Sequence, residues 1–459
     1  MPKSYREKTR DVPVAREADI LVVGGGTAGV PAALAAARRG KKTLLVEYFS
    51  FLGGSATAAL VTPLMHNGIK GNPSPSSINT EINRRMREIG AGGVDAGGGD
   101  GWFDPLLLSF VLEQMALESN VGILFNTFFS DVICEKGILK GVIIENKGGR
   151  QALFAQRVID ATGDADVAFR SGCPCESGRP RTHVNQPASL RFEVGGIHTE
   201  RFRNFLGSLG QKTEMDFPFF HTAMVWGKNW PLEPIFRKAV KAGDLEERDG
   251  KYFQAFGIPG KPSCLAFNCP ELDPGVDVTQ PDYQSRSLIQ GRQAILRSFR
   301  FMKKYFPGFE HAFLTQVAVM LGIRESRRIK GEYVLTGEDI LNYKKFDDAI
   351  ARSNYPVDIH GALDEYADFK RPDLPENERY YEVPYRSLVP KNMENLLVAG
   401  RCLSADFAGQ SSPRVQPSCR AFGEAAGIAS ALSLDKGVSP GKVNGSEIRS
   451  IMRDLGAFL

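Results

Sequence analysis

Residues 20–47, ILVVGGGTAGVPAALAAARRGKKTLLVE, constrain this chain more than any other stretch. An apolar strand runs into Gly24, Gly26 and Gly29. A helix of small residues follows, and a second apolar strand, 43–46, ends at Glu47. A G-x-G-x-x-G turn inside a complete βαβ unit, closed by an acid, is the pattern of a dinucleotide-binding fold. One glycine permits the tight turn, one lets the backbone approach a pyrophosphate, and one lets the helix pack close to the strand. The helix N-terminus offers free N–H groups and a positive dipole to phosphates. Glu47, 18 residues after Gly29, is placed to accept from a ribose hydroxyl. The competing reading is a membrane helix, because residues 20–37 carry no charge over 18 positions. Three consecutive glycines and Pro31 oppose it, and Pro31 suits the first turn of a helix starting near Thr27.

A chain of 459 residues has room for two or three domains. Its 57 basic and 53 acidic residues leave a net charge of +4, too balanced to suggest a nucleic-acid or acidic-membrane partner. The short basic start, PKSYREKTR, precedes no apolar core, so a signal peptide is not expected and a cytoplasmic location follows by default. Seven cysteines, an odd number, fit a reducing compartment. None forms C-x-x-C and no four-cysteine cluster suits zinc or iron–sulfur, so no metal is expected. Cys173 and Cys175, two apart, are read as structural, since a bridge between them would be strained.

Residues 66–80 and 90–101 are rich in Gly, Pro, Ser and Asn and read as long loops. Residues 104–118 predict a helix with Asp104 as N-cap and Pro105 in its first turn. Short alternating segments at 121–160 predict a small antiparallel layer ending at 161–164, Ala-Thr-Gly-Asp. From about Cys175 the character changes to mixed aromatic, proline and charged residues, which predicts an inserted second domain. Nucleotide-domain character returns at Asn395 with NLLVAGRCLSAD and a small-residue helix after Arg414.

Three separated segments therefore point to one ligand. Gly24, Gly26, Gly29 and Glu47 would hold an ADP moiety, Ala161 to Asp164 would close a later strand, and Ala399 to Arg401 with the following helix would sit at the far end. A plain NAD domain needs only the first, so the longer ligand FAD is expected. On VVGGGTAGVPAALAAARRG, LGGSAT, VIDATGDADVA, LRFEVGG, LGIRESRRIKGEY, YPVDIH and NLLVAGRCLSAD, the chain resembles FAD-dependent oxidoreductases of the glutathione-reductase-like fold. More narrowly, it resembles those related to fumarate reductase and heterodisulfide reductase flavoproteins. The resemblance implies that Thr27 and Ala28 meet the pyrophosphate and Glu47 the adenosine ribose. It implies that Gly54, Ser55 and Ala56 pass beside the flavin or ribityl chain and that Val132 offers backbone contacts to adenine. Ala161, Gly163 and Asp164 would lie near the pyrophosphate, and Gly400 and Arg401 near the ribityl or phosphates. The helix after Val415 and Gln416 would aim its N-terminus at the flavin pyrimidine ring, raising the reduction potential. The loop 51–56 lacks the histidine that attaches FAD covalently in many fumarate reductases, so FAD is expected to be noncovalent.

Five residues stand out as candidates for chemistry. His66 is a candidate proton shuttle or a structural loop histidine. Arg191 is a candidate clamp for an anionic substrate or an ordinary ion-pair partner. Arg324, in GIRESRRI, would share a helix face with Arg328 and bind a carboxylate, or pair with core acids. Asp358 and His360, two apart, would share a strand face and tune a proton carrier, or simply pack. The aromatics of 217–230, with His221, are read as core more than pocket. The expected architecture is α/β: a Rossmann-like FAD-binding domain with a parallel sheet and an antiparallel β layer, built from 15–175 and 378–459, plus an inserted α+β substrate or cap domain at 176–377. The expected activity is hydride or electron transfer between FAD and a small-molecule substrate, with no nucleic-acid or membrane partner and room for a homo-oligomer. Two alternatives remain open: an electron-transfer subunit serving a protein partner, and a non-redox enzyme on the flavin scaffold, as in thiazole synthases.

Overall fold

The computed structural model describes residues 8–65, 69, 73–94, 100–210, 230–360 and 371–459. Strand β1 (Val14–Val23) leads through the glycine turn into helix α1 (Gly29–Arg38) and strand β2 (Thr43–Val46). Strand β3 (Gly122–Leu124) follows, then three strands joined by tight turns: β4 (Phe128–Glu135), β5 (Ile138–Asn146) and β6 (Gly149–Asp160). A second module contributes β7 (Phe192–Gly195), β8 (Ala255–Ile258), β9 (Lys261–Phe267), the long helix α2 (Pro281–Tyr305) and β10 (Phe313–Val317). The chain then returns with β11 (Leu396–Val398) and helix α3 (Gln416–Asp435).

The parallel sheet runs β3-β2-β1-β6-β11, with Val22 opposite Leu45 on one side and Ile159 on the other. The first half of β6 also pairs antiparallel with β5, and β5 with β4, which makes the expected antiparallel layer. A strand covered on both faces must be apolar throughout, and Ile20 to Val23 are all buried. Successive side chains divide between the faces. Ile20 and Val22 join the core under α1 and α3, whereas Leu21 and Val23 join the core under the antiparallel layer. The alanines of α1 allow α3 to approach so closely that a Cβ at Gly423 would lie 1.9 Å from the Ala28 carbonyl oxygen.

The second module is a four-stranded antiparallel sheet, β8-β9-β7-β10, over an aromatic core. Phe192 stacks on Phe267 with centroids 4.8 Å apart, and Phe236 meets Phe301 at 4.6 Å. Two ties bind it to the nucleotide side: the Val319 N–H donates to the Ala58 carbonyl (3.0 Å), and Lys261 pairs with Asp104 (2.8 Å). The second core draws on residues up to Ile323, while Leu335, Ile340 and Ala349 to Ala351 pack into the first core. In packing terms the chain therefore returns before residue 377.

Two local expectations are corrected. A helix, Ser77–Glu88, begins inside the region read as loop, because the Ser76 hydroxyl caps it by accepting from the Asn79 N–H (3.0 Å). The short run Gly92–Val94 pairs with Asp100–Phe103, so the second presumed loop holds a small hairpin. The helix Pro105–Glu118 forms as expected, with Asp104 accepting from the Leu106 N–H (2.9 Å).

Glu193, on β7, is only 2% exposed and its Oε1 has no hydrogen-bond partner among the described residues. Burial raises its carboxyl from 4.5 to about 7; Lys261 opposes the rise, Asp104 adds to it, and the Lys261 ammonium is already paired with Asp104. A folded-state value above the unfolded one gives stability that is fully present below pH 4.5 and lost as pH rises through about 7. The loss is on the order of 3 kcal/mol, because each tenfold change in proton affinity is worth about 1.4 kcal/mol. Glu193→Gln removes this titration and is expected to raise the melting temperature at pH 8 relative to wild type, with little change at pH 5. Parallel melting curves against pH for the two proteins would refute the assignment.

Candidate functional site

The glycine turn is built by its neighbours. Gly24 has φ +101°, and a Cβ there would lie 2.5 Å from the Ala161 carbonyl oxygen. At Gly29 a Cβ would lie 1.7 Å from the Gly24 oxygen, so α1 reaches the strand only with glycine at that position. Gly26 differs. An added Cβ there meets nothing closer than the Gly54 Cα at 3.6 Å, an ordinary contact. Protein packing does not demand glycine at Gly26, and its open backbone fits the close approach of a pyrophosphate. Thr27 and Ala28 continue the same turn. The Thr27 and Ser55 hydroxyls lie 3.2 Å apart, and the one-turn helix Gly54–Ala56 lies against Gly26.

Glu47 closes the unit. Its carboxylate accepts from the Gly25 N–H (2.6 Å) and the Phe49 N–H (2.8 Å), so it fixes the turn. Burial pushes its carboxyl up against these donors. Ala161 joins the turn by donating to the Val23 carbonyl (2.9 Å), and Gly400 packs against Ala28. Val132 lies on β4 opposite Val142, with its N–H donating to Asp131 (2.9 Å). Gly163 faces the Arg401 guanidinium, which pairs with Asp164 (2.6 Å), and Ser326 bonds to both. Asp164 and Arg401 thus engage each other rather than standing free. Val415 caps α3, and Gln416 donates to the Val61 carbonyl (2.7 Å) and the Pro63 carbonyl (3.2 Å), which ties α3 to the loop after Gly54–Ala56.

A second cluster forms where the modules meet, and it gathers four of the five candidates for chemistry. His360 Nδ1 lies 2.9 Å from Glu271, and its Nε2 lies 3.5 Å from Asp358. Asp358 is held by Arg414 (3.2 Å) and by the Tyr355 hydroxyl (3.2 Å). Arg324 donates to the Pro187 carbonyl and stands 3.9 Å from Glu271. The Tyr252 ring meets the imidazole edge-on at 5.5 Å. Arg191 is 7% exposed; its Nη1 reaches the Leu60 carbonyl at 3.5 Å, and its Nε has no partner among the described residues. His360 and Glu271 line a cleft of about 460 Å³. His66 lies outside the described residues, as do residues 217–229 with His221.

The electrostatics give each group a state. Burial, then Arg324, hold His360 below its ordinary value against the pull of Glu271 and Asp358. The imidazole is therefore neutral near pH 7. Its short contact with Glu271 places the single proton on Nδ1 and leaves Nε2 as the acceptor. Burial pushes Asp358 up, but Arg414, His360 and Arg324 outweigh it and keep the carboxyl below its ordinary value. Burial also lowers the Arg191 guanidinium to about 9.

Two arguments from sequence spacing are corrected even though the residues do meet. Residues 324–327 form no helix. Glu325 is fully buried and accepts from the Gly178 N–H (2.9 Å) and Asn185 (2.7 Å), so successive side chains diverge. Arg324 turns to Glu271, Arg327 to Asp166 (2.6 Å) and Arg328 to Glu325. Asp358 and His360 lie beyond the strand Ala349–Ser353, in irregular chain; they approach each other directly at 3.5 Å, with Arg414 holding Asp358 and Glu271 holding His360, rather than sharing a strand face. Sequence reasoning misses Glu271, Tyr252, Tyr355 and Arg414 as site residues. Arg414 carries the best signal, since it stands just before a helix expected to reach the cofactor. It also misses buried Arg420, which bonds to Asn79 (2.7 Å) and Asn83 (3.0 Å) and borders the same small cavity as Gly26 and Thr27.

A glycine turn inside a βαβ unit closed by an acid, together with a half-buried cluster of acids, arginines and a histidine where the modules meet, makes up the candidate site. The family model described as FAD dependent oxidoreductase matches residues 19–452, and the chain belongs to that family. Thiamine thiazole synthase of Methanococcus aeolicus is 31% identical over 164 residues, which is 33% of this chain and 57% of that protein. The Saccharolobus solfataricus enzyme of the same name is 31% identical over 163 residues, with the same shares. The chain thus spans little more than half the length of these curated relatives. Among solved structures, p-nitrophenol 4-monooxygenase from Pseudomonas putida has a TM-score of 0.48 at 11% identity, covering 96% of this chain and 87% of that one. A geranylgeranyl bacteriochlorophyll reductase-like protein from Thermoplasma acidophilum has a TM-score of 0.46 at 11% identity, covering 96% and 84%. Among the described residues no helix is long and apolar enough to cross a membrane.

Proposed function

We propose that this enzyme exchanges electrons between noncovalent FAD and a small organic molecule bound in the cleft at His360. The observation that carries this reading is the meeting of buried Arg191 with half-buried Arg324, Asp358 and His360, from separate parts of the chain, in one cluster. FAD, when bound, supplies the electron pair or accepts it as hydride. The protein's part is to hold, orient and manage a proton. Backbone N–H groups of Gly26, Thr27 and Ala28 would receive the pyrophosphate, and Glu47 the ribose. Gly54, Ser55, Ala56, Ala161, Gly163, Asp164, Gly400 and Arg401 would hold the rest of the cofactor, with Val132 toward adenine and the N-terminus of α3, at Val415 and Gln416, toward the flavin. His360 Nε2 takes or returns the substrate proton, and Asp358 steadies the imidazolium that forms.

An anaerobic titration tests this directly. The FAD-loaded protein is expected to lose its visible absorbance on addition of at least one small organic donor, or after reduction to regain it with a small organic acceptor. A flavin that no small molecule reduces or reoxidises, but a partner protein does, would replace this reading with an electron-transfer subunit.

A further inference from the structure

Within this cluster the charges do not close. Three guanidiniums, Arg191, Arg324 and Arg414, face two carboxylates, Glu271 and Asp358, while His360 is held neutral. Asp358 is taken by Arg414, and Glu271 by His360 and Arg324. The unmatched charge is Arg191. Among the described residues, the charged and titratable groups within its electrostatic reach are Tyr252, Arg324 and Cys269, none of them a carboxylate. A buried cation without a counter-ion is unfavourable unless a ligand supplies one. Two buried donors also stand open, Arg191 Nε and Arg414 Nη1, and the Arg414 side chain is 9% exposed. The cleft that reaches His360 is lined by Lys251 as well as by Glu271 and Asp273, with Arg248 at its rim paired to Glu246 (2.7 Å).

We propose that the substrate is an organic acid and that its carboxylate pairs with Arg191, bringing the carbon to be oxidised or reduced beside His360. One carboxylate restores charge balance, and the fork of donors on a guanidinium fits its two oxygens. This rests on the functional reading above. The rival counter-ion for Arg191 is the negative charge of the reduced cofactor itself, and the test separates the two.

The FAD-loaded protein is titrated with propionate, succinate and benzoate, with propionamide and sulfate as controls. Binding is read by calorimetry and by perturbation of the flavin absorbance. At least one carboxylate is expected to bind saturably, and more tightly than propionamide or sulfate. Arg191→Met is expected to weaken that binding by at least about 10-fold, Arg191→Lys by less, and the exposed-site control Arg201→Met not at all. FAD content and melting temperature report whether each variant folds; should Arg191→Met fail, Arg191→Gln takes its place. The inference is overturned if no carboxylate binds, if sulfate binds as tightly, or if the Met and Gln variants keep full affinity. It is also overturned if those variants keep carboxylate affinity and lower the flavin midpoint potential, since Arg191 then answers the reduced cofactor. A protein that takes up no FAD overturns the functional reading; one that is FAD-loaded and ignores every carboxylate overturns this inference alone.

Discussion

Gly26→Ala should leave a folded protein that no longer retains FAD. The added methyl meets only the Gly54 Cα, at 3.6 Å, so the protein itself has room for it. The space it fills is the face along which a pyrophosphate must approach the backbone. Each charge-assisted hydrogen bond lost there is worth about 1.5–3 kcal/mol, so affinity is expected to fall at least about 100-fold. Stability should change by about 1 kcal/mol or less, because alanine also reduces the freedom of the unfolded chain. The contrast with Gly29→Ala makes the test specific. There the methyl would overlap the Gly24 carbonyl at 1.7 Å, and α1 must leave the strand. Melting temperature and flavin retained after gel filtration should therefore separate the two variants: the first folded and colourless, the second unfolded. A yellow Gly26→Ala protein would place the pyrophosphate elsewhere.

That contrast also marks what the sequence could tell. A G-x-G-x-x-G pattern shows three glycines as equals, yet only the neighbours around the turn divide them into two that pack and one that faces open space. The βαβ unit was legible because its periodicity is local: four apolar residues, 20–23, that must be covered on both faces, then a small-residue helix. The antiparallel layer was legible for the same reason. The helix Ser77–Glu88 was obscured by the glycine- and proline-rich stretch that leads into it, although Ser76 is a good cap. In the site, residue type was informative and spacing was not. Arg324, Asp358 and His360 do converge, but the geometry is set by Glu271 and Arg414, which lie far in sequence from the residues they hold, and by the ties of Glu325 to distant Gly178 and Asn185. Glu271, in NCPELDPG, carries no local pattern at all, and only the fold brings it to His360.

The larger catalytic effect is expected at His360. His360→Ala should lower the rate constant for flavin reduction by about 10²–10⁴-fold, the range for loss of a positioned acid–base group, while FAD retention stays unchanged because the residue lies apart from the glycine turn. The pH profile distinguishes a proton carrier from a packing residue. Burial and Arg324 lower the imidazole below its ordinary value of 6.5, so the wild-type rate should be level above that pH and fall only as the solution becomes acid enough to protonate Nε2. Asp358 acts against that lowering. Asp358→Asn should therefore make the imidazole harder still to protonate and move the acid limb to lower pH, at a reduced plateau because the imidazolium loses its counter-charge. Glu271, Arg324, Arg414 and Tyr252 face the same ring, but only His360 gains a proton in the required range with Nε2 free to use it. Added imidazole should restore part of the His360→Ala rate. An alanine variant with the wild-type acid limb, or an asparagine variant whose limb moves to higher pH, would take the proton away from His360 and leave it as a ligand that holds Glu271 in place.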